Sequence, residues 1–179
     1  MITKNFKAIL ASVLQSLGSV SGYKAVVPVK KTNGDSGYTP PYFTSEYPNT
    51  VGTSVQFSAS NSGIHVGTGD TAPTEDDYNL ESMVTSGLSA SSPAATRDAD
   101  NDGNPFVEFL FTLTNTTGSD IVIKEIGYFQ KIIFNTTYKS TSSSDTTVML
   151  DRTVLSTPVT VPANDSAAIK YRLTTVLPS

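Results

Sequence analysis

The chain has no cysteine, no tryptophan and a single histidine among 179 residues. Without cysteine there is no disulfide framework, no thiolate nucleophile and no cysteine-based zinc site. Missing disulfides also favour assembly in a reducing compartment. Charge is sparse: 12 Lys and Arg against 16 Asp and Glu leave a formal net charge of −4. No block of basic residues occurs, so an electrostatic footprint for nucleic acid is not supported. Long apolar runs are missing too. The run Ala8-Ile-Leu-Ala-Ser-Val-Leu14 stops at Gln15 and Ser16, too soon to span a membrane.

What the chain has is strand after strand. Phe106 to Thr114 ends at Asn115-Thr-Thr-Gly-Ser-Asp120, and Ile121 to Ile126 ends at Gly127. Lys131–Phe134, Thr147–Leu150 and Thr157–Val161 follow. The turn Pro162-Ala-Asn-Asp165 then leads to Ala168–Thr174. Gly63–Gly67 and Thr53–Ser58 read the same way upstream, and Tyr23–Val29 holds Pro28, which suits an edge. Short β-branched and aromatic runs split by Asn, Gly, Asp and Ser predict one antiparallel β-sandwich with Greek-key or jelly-roll-like connections. Gly67 to Leu80 reads as a long polar loop, and Ser86 to Pro93 as a low-complexity connection.

The N-terminus imitates a secretory signal, with Lys4 and Lys7 before an apolar run. The preferred reading is an amphipathic helix. Phe6, Ile9, Leu10, Val13, Leu14 and Leu17 form one stripe, Thr3 can cap it and Gly18 can end it. Between Tyr38 and Asn49 three prolines forbid regular pairing while four aromatics seek burial. The expected organisation is one domain in three stretches: a helix within 1–22, an edge strand and extended arm in 23–60, and the sandwich core in 61–179. Helix and arm carry more apolar surface than such segments usually bury. The expectation is that Phe6, Leu10, Leu14 and Leu17, or Tyr38, Tyr42, Phe43 and Tyr47, pack on a neighbouring chain of a homo-oligomer.

Candidate chemistry is thin. His65 alternates with Ile64 and Val66, and no nucleophile elbow accompanies it, so a strand histidine, exposed or hydrogen-bonded, is the reading. Asp98, Asp100 and Asp102, followed by Gly103, match the first half of a calcium loop. The twelfth position is Phe109 rather than Glu, so any calcium site would be weak, and an acidic hairpin turn competes with it. Glu75, Asp76 and Asp77 are neighbours in a loop, not carboxylates facing each other across a cleft as glycoside hydrolysis needs. Asp151 beside Arg152 suggests an inter-subunit or inter-sheet tie, or a local exposed pair. No small-molecule substrate and no cofactor other than calcium is indicated.

Four segments resemble tailed-bacteriophage virion proteins. They are Ile64-His-Val-Gly-Thr-Gly running on to Asp77-Tyr-Asn-Leu80, Phe111-Thr-Leu-Thr-Asn-Thr-Thr-Gly118, Ile123-Lys-Glu-Ile-Gly-Tyr-Phe129, and Leu150-Asp-Arg152 continuing to Pro158-Val-Thr-Val161. The resemblance covers roughly residues 60–175. It implies a non-enzymatic β-sandwich subunit of the virion, assembled in the host cytoplasm beside other virion proteins, in the neck or tail region or alternatively as a head accessory. A secreted carbohydrate-binding module is the rival from another class. Gly67 and Gly69 are expected to adopt backbone conformations closed to other residues, and Gly127 to permit a bulge or a close approach.

Overall fold

The computed structural model covers the chain, and its described residues are 1–8, 27–39, 54–58, 60–134 and 144–174. Among the described residues strand accounts for 56% against 4% helix, in antiparallel sheets, so the all-β expectation holds. The strands are β1 (Val27–Lys30), β2 (Ser36–Thr39), β3 (Gly63–Gly67), β4 (Leu88–Ala90), β5 (Ala94–Ala99), β6 (Pro105–Asn115), β7 (Ile121–Phe134), β8 (Ser144–Val161) and β9 (Ser166–Thr174). A short helix, α1, occupies residues 4–8. Thr3 caps it as expected, its hydroxyl accepting the Phe6 N–H at 3.4 Å. Residues 9–22 of the stripe lie outside the described residues.

Two sheets face each other across the core. One sheet runs β3-β7-β8; in the other, β4 and β5 share one flank of β6 while β9 takes its opposite flank. Ile64, Val66, Ile123, Ile126 and Val161 from the first sheet pack on Phe109, Phe111, Leu113, Ile169 and Tyr171 from the second. Phe109 lies parallel to both Tyr128 and Tyr171, ring centroids 6.2 and 6.4 Å apart. The pair β6–β9 encloses the pair β7–β8 in sequence, on the opposite sheet, which is the nesting a jelly roll repeats.

The long strands merge what the sequence splits. Gly127 does not end a strand: β7 passes through it to Phe134, and two expected strands fuse into β8. β8 keeps pace by two irregularities. Between Ile123/Val159 and Glu125/Val154 it carries three residues more than β7, and at Leu150 one more. The first shifts the phase of β7, so that Ile123, Ile126 and Tyr128 face the other sheet while Glu125 and Phe129 belong to the opposite face. The second leaves carbonyls turned outward, and Thr3 takes them: its N–H donates to Leu150 at 3.0 Å and its hydroxyl to Met149 at 2.8 Å.

That opposite face of the β3-β7-β8 sheet is covered, giving a third layer. Leu80, Phe129 and Met149 form a second small core there. Asn5 stitches the layer together, donating to the Lys30 carbonyl at 2.8 Å and accepting the Lys30 N–H at 2.7 Å. The connection at Lys31–Asp35 is the turn of a β1–β2 hairpin. Two expectations are corrected. Of the expected strand 53–58, the described residues 54–58 make a single parallel bridge, Val55 to Ile64. Ser86–Pro93, read as a connection, contains β4, and β5 was not foreseen. All six β5 residues are exposed, so nothing in its side chains announces a strand; backbone pairing to β6 alone makes it one.

Candidate functional site

Glu125 sits on β7 across from Gly67 of β3, fully buried. A buried carboxylate needs several donors. The loop from Thr68 to Met83 supplies them: Oε1 accepts the Ser82 N–H at 2.7 Å and the Gly69 N–H at 3.2 Å, and Oε2 accepts the Glu81 N–H at 3.1 Å. The counter-charge comes from Arg152 on β8, whose Nε lies 2.9 Å from Oε2. The Arg152 guanidinium then reaches Asp77 at 2.8 Å and Glu81 at 3.4 Å. Both loop carboxylates close local turns as well. Asp77 accepts the Thr74 N–H and hydroxyl at 2.9 and 2.8 Å, and Glu81 those of Thr71 at 2.9 and 2.7 Å.

The electrostatics follow from this geometry. Burial alone would raise the Asp77 carboxyl, but the hydrogen bonds from Arg152 and Thr74 outweigh it and hold it below its ordinary value. Thr71, and behind it Arg152, lowers Glu81. Burial works against the Arg152 cation, yet Asp77 and Glu125 together push its pKa up.

The glycines act by proximity. Neither Gly67 nor Gly69 has a positive φ, which corrects the expected backbone role. A Cβ on Gly67 would come within 2.7 Å of the Ser82 carbonyl and 2.8 Å of Glu125, and one on Gly69 within 2.6 Å of Glu81. Gly127 makes the expected close approach: a Cβ there would come within 2.7 Å of the Phe129 ring and 2.9 Å of Leu80. Tyr78 packs over Gly34 of the hairpin turn, with the Lys30 ammonium 4.2 Å from its ring centre.

Asp151 and Arg152 do not pair with each other. Successive strand residues point to opposite faces. Arg152 turns outward to the loop, and Asp151 turns inward, where the Tyr171 hydroxyl of the other sheet donates to it at 2.6 Å. Burial, then Asp151, pushes the Tyr171 phenol well above its ordinary range. The inter-sheet tie foreseen for the pair is therefore made by Asp151 alone.

Other sequence candidates fare differently. His65 is buried, its Nε2 3.0 Å from the Asn61 carbonyl. Asp98, Asp100 and Asp102 do not converge: among the described residues no group of three His, Cys, Asp or Glu is placed to hold a metal ion. Asp100 instead closes the β5–β6 hairpin, accepting the N–H groups of Asp102 and Asn104 at 3.0 and 2.9 Å, with Gly103 at φ 79°. Glu75 and Asp76 stay on the surface and pair with Lys7 and Lys4. Phe6 lines a groove of about 370 Å³ with Tyr128, Leu150 and Leu173 of its own chain. The Tyr38 backbone pairs with Pro28 in the hairpin. Leu10, Leu14, Leu17, Tyr42, Phe43 and Tyr47 lie outside the described residues.

Sequence reasoning missed the partners of Glu125, although a signal was present. Lys124 and Glu125 are successive strand residues and so take opposite faces, which leaves Glu125 on a strand between Ile123 and Ile126 as an acid in need of another cation. The arrangement defines a β-sandwich in which buried Glu125 and Arg152 clasp a loop and Asp151 ties the two sheets. No protein-family model, curated protein or solved structure matches the chain. Among the described residues no helix is long and apolar enough to cross a membrane.

Proposed function

We propose that this chain is a non-enzymatic structural subunit of a tailed-bacteriophage particle, a homo-oligomer in the neck or tail region that contacts other virion proteins. One observation supports the reading. Three of the four segments that resemble virion proteins meet in the Glu125–Arg152 clasp: Gly67-Thr-Gly with Asp77 and Leu80, Glu125-Ile-Gly, and Arg152. The fourth segment builds β6 and the turn at Asn115, whose amide donates to the Ser119 and Val161 carbonyls at 2.8 and 3.0 Å. Those segments thus encode a loop clasped onto a sheet by buried hydrogen bonds and ion pairs, which suits a part repeated around a symmetry axis. Among the described residues the buried charged groups Glu125, Asp151 and Arg152 are all bonded to neighbours within the chain, which suits scaffolding rather than turnover.

The test is mass spectrometry of particles purified from the expressing host, with light scattering of the isolated chain. The expected outcome is the chain in the particle at a copy number matching a closed ring, and an oligomer in solution. Leu10→Asp with Leu14→Asp should abolish the oligomer while leaving the β circular-dichroism signal. Absence from particles, together with glycan binding on an array, would replace this reading with a carbohydrate-binding module.

A further inference from the structure

His65 is, among the described residues, the buried side chain whose polar atoms are not all accounted for. Among the described residues, its Nδ1 is the buried side-chain nitrogen or oxygen without a hydrogen-bond partner. Nε2, 3.0 Å from the Asn61 carbonyl, must carry the proton and donate it, so Nδ1 is the basic nitrogen. The ring is fully buried, tilted at 58° against Phe129 with centroids 4.4 Å apart.

Among the described residues none bonds to Nδ1. Across from His65 on β7 stands Gly127, with no side chain. On the same face β7 also carries Glu125, whose oxygens are committed to three loop N–H groups and Arg152, and the exposed Lys131. β8 presents Arg152, a cation, and Thr147, whose hydroxyl donates to the Ser60 carbonyl at 2.8 Å. Lys131 gives its N–H to the Ser62 hydroxyl at 2.9 Å. The segment Ser60–Ser62 is therefore held to the sheet at three points, and His65 is the one that titrates.

We propose that His65 is an acid-operated latch: a proton on Nδ1 expels the ring from its pocket and releases Ser60–Ser62, with the bridge at Val55, from the edge of the sheet. The proposal is independent of where the chain acts. The direction follows from linkage. Burial holds the folded-state pKa below the ordinary 6.5, against the weaker pull of the Asn61 carbonyl. Below pH 6.5 the unfolded chain binds a proton that the folded chain refuses. Stability is thus complete above that pH and declines beneath it until the folded value is reached.

A single histidine makes the measurement clean. In wild-type protein the imidazole Cε1–H signal should hold its neutral position as pH passes below 6.5. When it moves, the amide signals of residues 54–58 and 60–62 should shift with the same midpoint. His65→Gln keeps a donor for Asn61, and between pH 7 and pH 5 it should lose less melting temperature than wild type. Titration at or above 6.5, or amides that ignore the midpoint, would overturn the proposal. So would a variant as acid-sensitive as wild type. Should the variant fail to fold, the wild-type titration decides alone.

Discussion

Glu125 accepts four hydrogen bonds, three from a loop and one from Arg152, in a place water does not reach. A buried ion pair adds little over an apolar pair of the same shape, but removing one member strands the other. Arg152→Ala should therefore cost about 3–5 kcal/mol in urea unfolding, and Arg152→Lys should rescue little, since an ammonium cannot fork to three carboxylates. A loss under about 1 kcal/mol would mean the clasp is ornamental. Glycine substitutions separate proximity from conformation. Gly67→Ala, meeting backbone at 2.7 Å, should lower the urea midpoint by an amount worth about 1–3 kcal/mol. Gly118→Ala, with nothing within 4 Å and no positive φ, should be neutral or gain up to about 1 kcal/mol. Equal effects at both sites would refute the close-approach account. The residues of the clasp stood in the sequence as isolated charges; what could not be read was which face each would take. A bulge decides that, and no single side chain announces it.

At the scale of elements, alternation in apolar residues exposed β3, β6, β7 and β9, because each buries one or both faces. It missed β4, too short at three residues to show alternation although Leu88 reaches the core, and β5, whose six exposed residues are held by main-chain pairing alone. It also over-read 53–58, where Val55 and Phe57 pack on the core from an irregular backbone. The loop Thr68–Met83 looked merely polar, and its order comes from side chains that reach back to β7 and β8. That order has an acid limit. Asp77 and Glu81 are held below their ordinary values of 3.8 and 4.5, so their contribution is complete above those values and lost as pH falls through the depressed folded ones. Hydrogen exchange in residues 70–82, corrected for intrinsic rate, should stay slow at pH 6 and open only in stronger acid. Fast exchange at pH 6 would show that the carboxylates do not hold the loop. Asp77→Asn should open it at neutral pH.

For the molecule as a whole, the sandwich was legible from strand spacing, while the third layer was not, since α1, the hairpin and the loop are joined by polar contacts scattered along the chain. The nesting of its strand pairs has a consequence for how the molecule comes into being. β7 and β8 meet at Phe134 and Ser144, a short return of the chain. β6 must wait for β9: its partners run from Thr114 with Ser166 to Phe106 with Thr174, separations of 52 to 68 residues (166 − 114 and 174 − 106). Closing so long a loop costs entropy before any contact repays it, and sheets of this kind fold in milliseconds to seconds. On the ribosome, the flank of β6 that β9 covers stays open until residues 166–174 have emerged. Phe109, Phe111 and Leu113, the heart of the finished core, are then the apolar surface most exposed to a stray neighbour. Crowded synthesis of many copies at once is the moment at which this fold is most vulnerable.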